Sequence, residues 1–64
     1  MIEQYIVVVQ DSNHVDFLKE FGVIEHVASL KNIVVLRANR TRIPALEAHP
    51  LVVEVKKSRT FHLG

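Results

Sequence analysis

The chain predicts an α+β fold, four antiparallel strands with two helices sharing one face of the sheet. Three observations lead there. Four short runs are rich in β-branched and apolar residues, the composition of strands. The segments after the first and third runs carry helix-start and helix-stop residues. The connections are short, and the 64 residues, 48% hydrophobic, hold no repeat, linker or low-complexity stretch, so residues 1–64 read as one domain.

Tyr5-Ile6-Val7-Val8-Val9 opens the chain as a strand, because β-branched side chains pack well on a pleated surface. Asp11, Ser12 and Asn13 follow, short polar side chains suited to a helix start, where free N–H groups need acceptors. Asn13 is the expected N-cap, and Asp16 sets negative charge against the helix dipole. Val15, Phe17, Leu18 and Phe21 form the apolar stripe, and Gly22 ends the helix as a residue that tolerates positive φ. Residues 23–30 form a less regular second strand, with Glu25, His26 and Ser29 among apolar neighbours. Lys31-Asn32 is the expected reversal, since Asn also tolerates positive φ, and Ile33-Val34-Val35-Leu36 pairs back as the third strand. The second helix opens within residues 39–41 and continues through Ile43, Leu46 and Glu47. Pro44 must fall in its first turn, which makes Thr41 a better cap than Asn39. His49-Pro50 stops it, because the residue before proline is pushed out of the α region. Leu51-Val52-Val53-Glu54-Val55 is the fourth strand, and residues 57–64 form a C-terminal tail.

Right-handed crossovers in this β-α-β-β-α-β order place both helices on the same face of the sheet, a ferredoxin-like sandwich. Two helices cover one face only. A sheet buried on one face alternates apolar and polar residues along each strand, yet here apolar residues stand at both parities in residues 5–9, 33–36 and 51–55. About half a dozen large aliphatics remain on the bare side, more than the roughly 300–600 Å² patch that soluble monomers expose. At about 25 cal/mol per Å², covering them rivals the roughly 3–5 kcal/mol that a core of this size supplies. The expectation is a protein-binding sheet face. Its candidates are Ile6, Val8, Val34, Leu36 and Val52, of one parity or the other, and its occupant is another protein or a second copy in a homodimer.

The net charge of +1 conceals an asymmetry. Residues 1–36 carry two lysines against five acids, and residues 37–64 carry six cations against two. Such a split marks either an acidic partner or the solvated ends of strands and loops, with Lys56, Lys57 and Arg59 as candidate basic contacts. Without cysteine there is neither a disulfide nor a thiolate metal site. No apolar run reaches the roughly 18–20 residues of a membrane span. Met1-Ile2-Glu3-Gln4 lacks the basic-then-apolar start of a signal peptide. The expected location is cytoplasmic, or exported as part of a longer precursor. His14, His26, His49 and His62 share no ligand spacing. Ser12, Ser29 and Ser58 lack nucleophile-elbow glycines, no paired-carboxylate motif occurs, and two glycines make no phosphate cradle. No catalytic residue, metal or cofactor is expected, so the chain reads as a binding module and not an enzyme. Nucleic acid is disfavoured, because four-stranded RNA-binding folds stack bases on sheet aromatics and Tyr5 is the one strand aromatic here.

Tyr5-Ile6-Val7-Val8-Val9, the helix ending at Leu46 and His49-Pro50-Leu51-Val52-Val53-Glu54-Val55 stand in the order found in subtilisin propeptides and their free-standing relatives, the fungal proteinase inhibitors. The chain resembles that family over nearly its whole length, and the last segment is similar to the family's Asp-Pro-x-Val-x-x-Val-Glu. The resemblance implies an inhibitor, a folding chaperone, or both, for a subtilisin-like serine protease. It implies an open sheet face packed on two protease helices and a tail lying substrate-like in the active cleft. Phe61, His62, Leu63 and Gly64 would then occupy the cleft, Phe61 in a hydrophobic subsite and Gly64 at the primary one. The chain departs from the family at Lys56-Lys57-Ser58, where members carry acids that cap the protease's helix N-termini. Cations repel a helix N-terminus. Either the protease contact differs here, or the scaffold serves another, acidic partner of host or viral origin.

Overall fold

The computed structural model describes residues 2–58. Strands β1 (Ile2–Val9), β2 (Gly22–Ala28), β3 (Ile33–Asn39) and β4 (Val52–Lys57) form one antiparallel sheet in the order β2-β3-β1-β4. Paired residues in an antiparallel ladder point to the same face. Tyr5 pairs with Leu36 and Val7 with Val34, and Val9 pairs with Val52 across β4. These six side chains, with Ala38, Leu18 and Leu46, make the buried core. Leu18 and Leu46 come from the two helical segments, so both segments cover the same face of the sheet.

The first helical segment is shorter and tighter than the sequence suggests. In place of an α-helix capped by Asn13 there is a 3-10 helix, Asp16–Glu20, with no side-chain cap. Asp11 and Ser12 are spent elsewhere. The Asn13 N–H donates to Asp11 Oδ1 at 2.9 Å, and Ser12 donates its N–H to Asn32 Oδ1 and its hydroxyl to the Ser29 carbonyl. These bonds fasten the start of the connection to the β2–β3 turn. What is left must still travel back along the sheet, and a 3-10 helix covers about 2.0 Å per residue against about 1.5 Å in an α-helix.

The second segment is a 3-10 turn, Arg40–Arg42, leading into one short α-helix, α1 (Ile43–Glu47), with Pro44 in its first turn. Because helical structure begins at Arg40, the cap moves upstream. Asn39, not Thr41, supplies it: Asn39 Oδ1 accepts the Thr41 N–H at 3.0 Å and the Thr41 hydroxyl at 2.9 Å. His49 closes the helix, its Nδ1 accepting the Leu51 N–H at 3.1 Å. Its ring stacks on Phe17 at 4.2 Å, Phe21 meets it edge-on, and the Arg42 guanidinium stands 5.4 Å from the Phe21 centroid. This strip of rings joins two helical segments too short to interlock by ridges and grooves.

The β2–β3 connection is a 3-10 turn, Ser29–Lys31, followed by Asn32 at φ 55°, the left-handed conformation expected of that asparagine. Among the described residues no helix is long and apolar enough to cross a membrane.

Candidate functional site

The sheet face opposite the core is where the sequence places its binding surface. Register decides which residues it holds. Ile6 pairs with Val35 and Val8 with Ile33, so these four share the open face at the centre of the sheet, half-buried by their neighbours on the strands. Val34, Leu36 and Val52, expected beside Ile6 and Val8, point the other way and are buried in the core. The reason is strand geometry: a shift of one residue changes the face of every side chain, and Ile6 stands opposite Val35 rather than Val34. Ile2 and Val23, 58% and 66% exposed, extend the apolar surface of this face.

Charge surrounds the apolar centre. A register shift between Ile24 and His26 turns Glu25 onto the open face. There its carboxylate accepts from Gln4 Nε2 at 2.8 Å and pairs with Arg37 Nε at 3.4 Å. On the opposite margin Lys56 pairs with Ile6 and Glu54 with Val8 in the ladder, and their side chains form an ion pair at 3.7 Å. His26, exposed, stands beside Val35. An apolar centre with a polar rim is the anatomy of a protein interface. A concavity of about 860 Å³ opens broadly to solvent, lined by Ile2, Val23 and Arg37 from this face and by Phe21 and Arg42 from the helical side.

Lys57 lies on the core side of the sheet, past the cover of the helices. Its ammonium meets Glu3 at 3.0 Å, and the Tyr5 hydroxyl donates to the same carboxylate at 2.9 Å. Lys57, and then Tyr5, hold the Glu3 carboxyl below its ordinary value. Burial, and then the bond to Glu3, push the Tyr5 phenol up. The two lysines expected as basic contacts thus stand on opposite faces, each matched by an acid of this chain. Arg59, Phe61, His62, Leu63 and Gly64 lie outside the described residues.

One signal in the sequence could have fixed the parity. Gln4 shares parity with Ile6 and Val8, and Arg37 shares it with Ile33 and Val35; a polar residue extending an apolar strand marks the wet face. Glu3 and Lys57 give the opposite indication and hide it. Comparison with protein-family models, curated proteins and solved structures finds no match.

Proposed function

We propose that the chain is a protein-binding module of ferredoxin-like topology that acts as an inhibitor, a folding chaperone, or both, for a subtilisin-like serine protease. In this reading the open sheet face docks on the enzyme and the C-terminal tail lies in its cleft. The observation that carries it is the apolar quartet Ile6, Val8, Ile33 and Val35, on the face opposite the one where Leu18 and Leu46 cover the core. The strand order supports the topology: β3 lies between β1 and β2, and β1 between β3 and β4, the interleaved split βαβ pattern. The Ser58 N–H donates to the Gln4 carbonyl at 3.0 Å, which carries the β1–β4 ladder to the last described residue. The lysines that replace the family's acids weigh less against this reading once paired, because Glu3 and Glu54 neutralise them locally.

Titration into a subtilisin assay tests the reading. Inhibition at about micromolar concentration is expected, lost when residues 61–64 are deleted and weakened at least about tenfold by Val35→Glu, the loss a central interface residue commonly causes. Absence of inhibition, or equal inhibition without the tail, refutes it.

A further inference from the structure

We propose that in the absence of its target this chain closes its open face on a second copy of itself, in one orientation selected by Glu54 and Lys56. The proposal rests on the open face being a docking surface and not on the identity of the target.

The open face is a small grid. Glu54, Val8 and Ile33 form one row across β4, β1 and β3, and Lys56, Ile6 and Val35 form the next. A two-fold axis lying in the face, at right angles to the strands and passing between the rows, exchanges the rows and keeps the columns. Each Ile6 then meets the Val8 of the other copy, each Val35 meets an Ile33, and each Lys56 meets a Glu54. Bulky aliphatics cover each other, and two ion pairs form between copies in place of the exposed 3.7 Å pair within each. The alternative axis, parallel to the strands, sets the β4 column over β2. Lys56 would then face His26 and its neighbour Glu25, whose carboxylate Gln4 and Arg37 already hold, while Glu54 would face Ala28 and meet no cation. Only the first arrangement is complementary at both the centre and the margin, and a two-fold interface must be self-complementary.

Aligned sheets cross at about 30°, an offset that the long side chains of Lys56 and Glu54 can span.

Sedimentation equilibrium on the full chain, from about micromolar to about millimolar across the Kd range of weak complexes, tests the proposal. The wild type is expected to pass from monomer to dimer. Lys56→Glu and Glu54→Lys each set like charges against each other, and each alone should weaken the dimer at least about tenfold. Mixed in equal amounts, the two variants carry uniform and opposite charge at these positions, and dimer should return. The double swap Glu54→Lys/Lys56→Glu should dimerise as the wild type does, which also shows that these exposed positions tolerate substitution. A wild type that stays monomeric throughout, single variants that dimerise like the wild type, or a mixture that stays monomeric each overturns the proposal. Mass and inhibition report separately. A monomeric chain that inhibits subtilisin refutes the dimer alone, and a dimer that fails to inhibit refutes the protease reading alone.

Discussion

Adjacent residues on β3 give the sharpest test of which face is which. Leu36 is fully buried between Tyr5 of β1 and Ile24 of β2, whereas Val35 lies half-buried on the open face. Truncating a buried leucine to alanine costs about 2–5 kcal/mol, the transfer term plus the cavity. A domain of this size holds only roughly 3–5 kcal/mol in total. Leu36→Ala therefore leaves a population near the midpoint of unfolding in water. Val35→Thr keeps the branched shape that a strand favours and exposes its hydroxyl to solvent, so its cost stays within about 0.5 kcal/mol. With a urea dependence of about 1 kcal/mol per M, the wild type should unfold near roughly 4 M and Leu36→Ala below roughly 2 M. Val35→Thr should stay within about 0.5 M of the wild type. Circular dichroism at low micromolar protein, where a second copy contributes little, reads all three. If Val35→Thr loses as much as Leu36→Ala, something covers the open face, and both its parity and its role as a docking surface are wrong.

Gly22→Ala should destabilise the fold by about 1–3 kcal/mol, since the added Cβ runs into the Arg37 backbone carbonyl and lies 2.9 Å from Ala38 Cβ; an unchanged urea midpoint refutes that close approach. Asn32 at φ 55° predicts that Asn32→Ala is less stable than Asn32→Gly by about 1 kcal/mol. Both variants lose the bond to Ser12, so equal midpoints would mean the left-handed backbone costs nothing. Glu3, held down by Lys57 and then by Tyr5, contributes stability above its ordinary value of 4.5 and loses it as pH falls through the lower folded value. Melting temperature should therefore decline on acidification below about pH 4.5, and Glu3→Gln should flatten the decline. Tyr5, pushed up from 10.0 by burial and then by Glu3, contributes below that value and loses its contribution as pH rises through the higher folded one. Tyr5→Phe should therefore remove an alkaline loss of stability, and an unchanged alkaline profile would refute the burial of the phenol.

The strands were legible because their residues admit little else. Five consecutive apolar or β-branched residues from Tyr5 to Val9, and four from Ile33 to Leu36, lack the 3.6-residue period of a helix. Both became the central strands. The ends were harder to read. β1 extends back to Ile2, and β3 and β4 run on to Asn39 and Lys57, because polar residues at a strand end pair as well as apolar ones when backbone groups carry the ladder. The first helix was misread because local composition cannot report a long-range competitor. Asp11, Ser12 and Asn13 have the chemistry of a cap, but Ser29 and Asn32, brought near by the β2–β3 turn, offer Ser12 other partners. The open sheet face was expected to carry a surplus of aliphatics, but the sequence did not say which ones. With both parities apolar, the composition says how much is exposed, and only the register says which.

The charge asymmetry of the sequence acquires a different meaning in the folded chain. Read along the sequence, an acidic first half and a basic second half suggest a basic surface waiting for an acidic partner. In the structure the halves interleave: β1, β2 and the start of β3 come from the first, and the end of β3, with Arg37, and β4 from the second. Each neighbouring pair of strands then joins an acidic element to a basic one, as Glu3–Lys57 links β1 to β4 and Glu25–Arg37 links β2 to β3. Opposite charges across neighbouring strands favour the native pairing, and like charges disfavour slipped ones. That matters in a sheet whose apolar pattern barely distinguishes one register from the next. Lys57, at the end of the last strand, is better understood as a register device than as a lure for acids. What remains for a partner on this face is the apolar centre, edged by charges already balanced within the chain.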